Sequence, residues 1–320
     1  MARPTVLLTR RLPAAASEVL GRECDVESNE EDRPYPPDEL ARRAADKDAV
    51  VSVLTDKIDA AFIGGLERCR IIANVAVGFD NIDLEAAKRK GIVVTNTPGV
   101  LTDATADFAM TLLLAVSRRV IEADRFVREG KFHGWNVMML LGADLAGRTL
   151  GLAGFGRIGQ AVARRAGGFG LRIIYADEHR FPIDVEQHFG AKFVDKETLL
   201  KTSDFLSLHL PLTPQTRHYI GAAELETMKT SAYLINTSRG PAIDEAALVT
   251  ALREKKIAGA GLDVFEHEPE IAPGLAELPN VVLAPHIASA GETTRGRMAA
   301  MAAESVLTVL KGKDPPNRVA

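Results

Sequence analysis

The sequence predicts an α/β protein with two doubly wound parallel sheets. Short apolar runs alternate with helix-like segments over the first hundred residues, and the same alternation restarts at about residue 149. A chain of 320 residues is long enough to bury two cores rather than one. A glycine-rich turn also falls directly after the first apolar run of the second series, where strand gives way to helix.

In the first series, Thr5–Thr9, Ala49–Leu54, Ile71–Val75 and Ile92–Asn96 are apolar runs of strand length. Between them Pro13–Leu20, Pro37–Ala45 and Asp83–Lys90 carry helical patterns, and the proline-rich Asp32–Pro37 is a surface loop. A long helical pattern then starts after Pro98 and Gly99, runs from about Thr102 to Glu129 and ends at Gly130. One helix of that length spans two domains. The second series has strands at Thr149–Ala153, Arg172–Tyr175, Phe205–His209, Tyr233–Asn236, Gly259–Asp263 and Val281–Ala284, with a helix at Gln160–Gly167. A final helix, Glu292–Leu310, lies beyond the last strand and is expected to pack back on the first domain.

Composition excludes several classes. Hydrophobic residues make up 46% of the chain and charged residues 26%, which rules out a mainly disordered protein. The longest apolar stretch, Ala104–Val116, is interrupted by Asp107 and stopped by Arg118 and Arg119, short of the roughly 18 residues of a membrane span. The N-terminal stretch lacks a secretory pattern, so a cytoplasmic location is expected. Net charge is −4 without long single-sign blocks, so nucleic acid and anionic membranes are poor partners. Cys24 and Cys69 form no CxxC pair and read as small buried hydrophobes; no metal site is expected.

Gly154-Phe155-Gly156-Arg157-Ile158-Gly159 fits GxGxxG between a strand and a helix. The first glycine permits a tight turn, the second admits a pyrophosphate, and the third allows close packing, while the helix N-terminus offers N–H groups to the anion. Asp177 ends the next strand, 23 residues after Gly154, where such folds place the acid that binds the adenosine ribose. Arg239, Glu268 and His286 follow the C-terminal ends of later strands, the edge at which open α/β sheets bind ligands. Together they match the reduction of a 2-oxo acid, which needs a cation for the carboxylate and carbonyl and a carboxylate-supported histidine as proton donor. Taken singly, each also reads as an ordinary solvated or turn residue. No GxxxxGK[ST], HExxH or GxSxG motif is present, and no tyrosine precedes a lysine by four residues. His133, His179, His188, His209, His218 and His267 form no metal-like cluster and read as surface or packing residues.

With these residues, six further segments complete an ordered set: 74–83, 96–107, 207–213, 236–241, 261–269 and 284–289. On them the chain resembles the D-isomer-specific 2-hydroxyacid dehydrogenases, and within that family the glyoxylate/hydroxypyruvate reductases. The resemblance implies a Rossmann cofactor domain, residues 99–287, inserted in a flavodoxin-like substrate domain of residues 1–98 and the returning helix in 288–320. It implies Arg239, Glu268 and His286 as the catalytic trio, and substrate binding by Arg239, His286 and backbone N–H groups near Val77 and Gly78. Cofactor contacts are implied at Gly154 to Gly159, Thr105, Asp177, His209, Pro211, Thr237, Ser238, Arg239, Asp263 and His286. It also implies a homodimer in which Trp135 reaches the partner's active site. Two departures stand out: Ala153 replaces a larger residue beside the glycine turn, and Asp177-Glu178-His179-Arg180 differs from the Ser-Arg pattern of NADPH users.

The expectation is NADH-dependent reduction of glyoxylate or hydroxypyruvate to the D-2-hydroxy acid, with NADH preferred over NADPH because Asp177 and Glu178 repel a 2′-phosphate. An arginine in this loop, Arg180, opposes that preference if it folds over the phosphate. The alternatives are another dehydrogenase of the family, of the phosphoglycerate, lactate or phosphite type, and a non-catalytic NAD-sensing protein.

Overall fold

The computed structural model describes residues 2–320. The first sheet is formed by β1 (Thr5–Leu8), β2 (Asp25–Ser28), β3 (Ala49–Ser52), β4 (Ile71–Asn74) and β5 (Val93–Thr95), all parallel, in the order β2-β1-β3-β4-β5. The crossovers carry α1 (Ala14–Leu20), α2 (Pro37–Ala44), α3 (Ala60–Gly65) and α4 (Leu84–Arg89). Side chains alternate across the pleat, and here both faces are covered. Leu7, Val50, Ile72 and Val94 enter one core, and Val6, Leu8, Ala49, Val51, Ile71 and Ala73 the other. Continuous apolar runs are therefore strands buried on both sides.

The second sheet has seven parallel strands: β6 (Thr149–Ala153), β7 (Arg172–Ala176), β8 (Ala191–Phe193), β9 (Phe205–Leu208), β10 (Tyr233–Asn236), β11 (Gly259–Leu262) and β12 (Val281–Leu283). Their order, β12-β11-β10-β9-β6-β7-β8, is that of a Rossmann sheet with one added strand. The first sheet has the flavodoxin order. Around the second sheet lie α5 (Thr102–Ser117), α6 (Val120–Arg128), α7 (Arg157–Gly167), α8 (Ile183–Phe189), α9 (Lys196–Thr202), α10 (Ala222–Thr227) and α11 (Glu245–Arg253). The last helix, α12 (Glu292–Leu310), belongs with the first sheet: Ala299, Ala302, Ala303 and Val306 are buried in its core, against α1 and β4. The chain thus divides into two units, one of residues up to Leu101 with Ala290–Ala320 and one of Thr102–Ser289.

The single long helix expected from about Thr102 to Glu129 is two helices. The Ser117 carbonyl accepts from the Ala143 N–H (2.9 Å) rather than continuing the ladder, and Arg119 turns into the left-handed region at φ 54°. The Arg119 guanidinium then closes on Glu122 (2.7 Å), a pair local to the start of α6. β2 and β8, both edge strands, are not among the strands expected from the sequence. β2 is polar (Asp-Val-Glu-Ser) and β8 is three residues long, so neither carries the apolar run that marks a central strand.

The chain end closes the first sheet. Val94 N–H donates to Ala320 O (3.0 Å), Val319 N–H returns to Val94 O (2.8 Å), and Thr95 bridges Arg318 in antiparallel sense. Asn317 donates its side-chain amide to Asn96 O and accepts from Ser305 Oγ of α12 (3.0 Å). Among the described residues, no helix is long and apolar enough to cross a membrane, and no His, Cys, Asp and Glu cluster is arranged to hold a metal ion. Cys24 and Cys69 are free and buried, and burial pushes the Cys69 thiol up to about 12.

Candidate active site

At the C-terminal edge of the second sheet, β6 lies between β9 and β7, the point at which the strand order reverses. Gly154 turns the chain there with φ 91°, and a Cβ on it would lie 2.6 Å from the His209 carbonyl oxygen. A Cβ at Gly159 would meet Gly154 O at 2.4 Å, so α7 packs directly on the turn, whereas Gly156 faces open space as the N-cap of α7. Arg157 is exposed and Ile158 half-buried. Phe155 points the other way. Its ring stacks on Tyr175 at 4.2 Å inside the core, leaving only its backbone at the turn. That backbone N–H donates to Asp177 Oδ2 (2.7 Å), and Glu178 N–H donates to Asp177 Oδ1 (2.8 Å). The acid found by spacing is held against the glycine turn.

The strand ends on the other side of β6 supply orphaned polar atoms. His209 Nε2 bonds Ser207 Oγ (2.9 Å), but His209 Nδ1 and the Thr237 Oγ1 are inaccessible and have no hydrogen-bond partner among the described residues. Buried polar atoms of this kind are costly unless a ligand completes them. With an open helix N-terminus and an anchored carboxylate beside them, these residues fit a dinucleotide. Pro211 lies exposed just beyond, its carbonyl accepting from Thr216 Oγ1 (2.6 Å). Thr105 is buried in the first turn of α5.

Three loops after β10, β11 and β12 bring Arg239, Glu268 and His286 together. Asn236 shapes the first: its Oδ1 accepts from Ser238 N (3.0 Å) and Ser238 Oγ (2.7 Å), and its Nδ2 donates to Arg239 O (2.9 Å). Gly240 then passes so close to the second loop that a Cβ would fall 1.8 Å from Phe265 O. Any other residue at 240 pushes the Arg239 and Glu268 loops apart. Glu268 accepts from Phe265 N on Oε1 (3.1 Å) and faces His286 Nδ1 through Oε2 (2.9 Å), leaving Nε2 as the ring's other nitrogen. Burial pushes the Glu268 carboxyl up, but the His286 hydrogen bond and charge, the Phe265 N–H and the Arg239 charge prevail and hold it below the usual carboxylate range.

His286 itself sits at φ 54°, a left-handed backbone that a non-glycine residue adopts only when its surroundings impose it. The constraint is Asp263 at the end of β11. Its carboxylate is fully buried and accepts from Ile287 N (2.7 Å) and Ala288 N (2.8 Å), while its carbonyl accepts from His286 N (2.8 Å). Burial pushes the Asp263 carboxyl upward against those two donors. Glu245, which is not among the residues expected at the site from the sequence, brackets the Glu268 loop by accepting from Glu266 N (2.7 Å) and Ala272 N (3.0 Å). Its only sequence signal is the Asp244-Glu245 start of a helix, and nothing there reveals its burial.

In the smaller unit, Val77 and Gly78 follow β4. Ala76 O accepts from Thr97 N (2.8 Å), and Val77 O accepts from the Asn96 amide (2.8 Å). Because a trans peptide opposes its C=O and N–H, the N–H groups of Val77 and Gly78 point away from Thr97 and from the Asn96 amide respectively. Trp135 is not assembled with the trio: it is 81% exposed, on the segment after α6.

A glycine turn, a carboxylate anchored against it and a carboxylate–histidine pair beside an arginine are the features of a nicotinamide-dependent dehydrogenase. Residues 110–288 match the NAD binding domain of the D-isomer specific 2-hydroxyacid dehydrogenases, and the chain belongs to that family. It is 50% identical to a glyoxylate reductase of Thermococcus litoralis over 99% of this chain and 97% of that protein. A solved structure from Thermus thermophilus superposes with a TM-score of 0.92 at 46% identity, covering 99% of this chain and 100% of that one. An NADPH-dependent glyoxylate/hydroxypyruvate reductase of Sinorhizobium meliloti, solved with NADP and malonate, superposes with a TM-score of 0.88 at 33% identity, over 100% and 97% of the two chains.

Desolvation pushes the His209 imidazole down to about 3, so it is neutral in the folded protein at neutral pH. Unfolded, the ring takes a proton below about 6.5. The stability tied to the neutral ring is therefore complete above that pH and is lost progressively as pH falls towards the folded value. The melting temperature of the parent is expected to fall more steeply from pH 6.5 to 4 than that of His209→Gln, as followed by circular dichroism; parallel curves would contradict a buried neutral ring.

Proposed function

We propose that the protein reduces glyoxylate to glycolate and hydroxypyruvate to D-glycerate, with NADH preferred over NADPH. The observation that carries this reading is the His286 Nδ1 to Glu268 Oε2 pair at 2.9 Å beside Arg239, in a chain half identical to a glyoxylate reductase. The unit Thr102–Ser289 is the cofactor domain and the unit closed by α12 the substrate domain. The glycine turn, Asp177, Thr105, His209, Pro211, Thr237, Ser238 and Asp263 hold the dinucleotide, Phe155 through its backbone alone. When bound, the nicotinamide supplies a hydride to the carbonyl carbon.

The protein's own groups do the rest. Arg239 offers a guanidinium fork to the carboxylate and carbonyl oxygens. In the substrate domain, the backbone N–H groups of Val77 and Gly78 are the anion-binding groups. His286 Nε2 gives its proton to the carbonyl oxygen as charge develops there. Glu268, on Nδ1, fixes the ring and favours its protonated form. Asp177, with Glu178 beside it, faces the ribose and disfavours a 2′-phosphate. We assign the homodimer interface to α6 and the segment after it, where Val120, Ile121, Val127, Phe132, Trp135 and Met138 are exposed and α6 has no buried residue. From that face Trp135 reaches the partner's active site.

NADH consumption with a panel of 2-oxo acids tests the activity, and no turnover with any of them would overturn it. Arg239→Ala is expected to lower kcat/KM about 10²- to 10³-fold without a matching loss of melting temperature. Arg239→Lys recovers only part, since an ammonium keeps the charge and loses the fork. Near-parent kcat/KM in the alanine variant would remove Arg239 from the mechanism.

Glu268 is held below the usual carboxylate range and so is charged at neutral pH. Removing that charge weakens the ring's hold on its proton. In Glu268→Gln the alkaline limb of the pH profile of kcat/KM is expected to move to lower pH, and an unmoved limb would show that the carboxylate does not support the donor.

For the interface, Val127→Glu is expected to convert a dimeric parent to monomer in light scattering. A parent that is already monomeric would overturn this assignment.

A further inference from the structure

The loop after β7 contains a cation that the proposed cofactor preference does not use. Arg180 lies three residues beyond Asp177, within reach of any group bound at the ribose position by chain length alone. In the structure it is engaged elsewhere. Arg180 Nε donates to Glu186 Oε1 (2.9 Å) and Nη2 to Glu186 Oε2 (2.7 Å), a two-pronged pair with a carboxylate on α8. The partners differ sharply in exposure: the Glu186 side chain is 5% exposed and that of Arg180 is 59%.

Glu186 cannot follow Arg180 outward. Tyr175 Oη donates to Glu186 Oε1 (2.9 Å) and accepts from Phe181 N (2.9 Å), and Tyr175 is itself fully buried and stacked on Phe155. The anchor therefore runs from the core of the second sheet to the loop. The Arg180 guanidinium holds Glu186 below the usual carboxylate range, so the pair is charged at neutral pH. Moving Arg180 to another anion would leave a carboxylate in a nearly closed site with only the Tyr175 hydroxyl and the Phe193 backbone, both neutral, as partners, which is unfavourable.

We infer that Glu186 is a specificity-determining residue: by engaging both prongs of Arg180 it withholds the loop's arginine from a 2′-phosphate, so that NADPH meets Asp177 and Glu178 uncompensated. The inference rests on the reading that Asp177 faces the adenosine ribose. Discrimination here is made by removing a favourable contact to the wrong cofactor as well as by repulsion.

Glu186→Gln keeps the side chain's size and an acceptor for Tyr175 while removing the charge that fixes Arg180. The ratio of kcat/KM for NADPH to that for NADH is expected to rise about 5- to 20-fold, a typical range for one coupling, with NADH use within about twofold of the parent. Arg180→Ala in the Gln background should cancel the gain. Arg180→Ala alone should leave the ratio unchanged, and it supplies the test if the Gln variant does not fold. A binding readout independent of turnover is calorimetric titration of the cofactor-free protein with adenosine 2′,5′-bisphosphate and with 5′-AMP. Only the bisphosphate should bind more tightly to Glu186→Gln. An unchanged ratio in Glu186→Gln, or a selective loss of NADPH use in Arg180→Ala alone, would overturn the inference. A parent that prefers NADPH would overturn it together with the Asp177 reading, whereas a parent that prefers NADH yet is indifferent to Glu186→Gln would overturn the inference alone.

Discussion

The buried carboxylate of Asp263 holds the turn on which the site depends. Its two oxygens take the N–H groups of Ile287 and Ala288, and its carbonyl takes that of His286, so three consecutive amides of the loop after β12 close on the one residue that follows β11. This fixes His286 in a backbone region that would otherwise relax. Glu245 does for the Glu268 loop what Asp263 does for the His286 loop, and Asn236 does the same for Arg239. Arg239, Glu268 and His286 each stand on a loop, and each loop is held by a buried polar side chain at a strand end or at the start of α11. The arrangement reconciles loops, which give side chains access to a ligand, with the rigidity that catalysis needs.

Much of this was legible in the sequence, for a physical reason. Strands buried on both faces must be apolar throughout, so β1, β3, β4, β6 and β9 announce themselves as continuous runs. The glycine turn is legible because close backbone approach admits no side chain at Gly154. What stayed hidden depends on contacts far apart in sequence. β2 and β8 are edges whose polar or short sequences read as loops. The break between α5 and α6 is made by Ala143, which takes the Ser117 carbonyl from 26 residues downstream. The direction of Arg180 is decided by Glu186, whose burial the helical pattern around it does not disclose.

The same limit explains the binding residues. Val77 and Gly78 have unremarkable side chains for an anion site, and the role proposed for them rests on backbone whose peptide planes are set by Asn96 and Thr97 across the loop. A family resemblance carries such positions forward because it compares whole segments, while residue chemistry alone has nothing to seize on. Phe155 shows the converse. Its place in the glycine motif suggests a ligand contact, yet its ring belongs to the aromatic stack that supports Tyr175, and through Tyr175 the loop beyond β7.

The antiparallel bridge between Thr95 and Arg318, with Val94 bonded to Val319 and Ala320, bears on how the protein emerges from the ribosome. The larger unit is one contiguous stretch, and its core is complete in the nascent chain while the last helix is still to be made. The smaller unit must keep a five-stranded sheet waiting, with the apolar face that Ala299 and Val306 later cover exposed to water throughout that interval. Its final contacts join residues separated by the whole of the other unit, the high contact order that makes closure slow. Synthesis therefore imposes a sequence of events, in which the nucleotide-binding fold is finished before α12 and residues 317–320, which complete the other unit, are made.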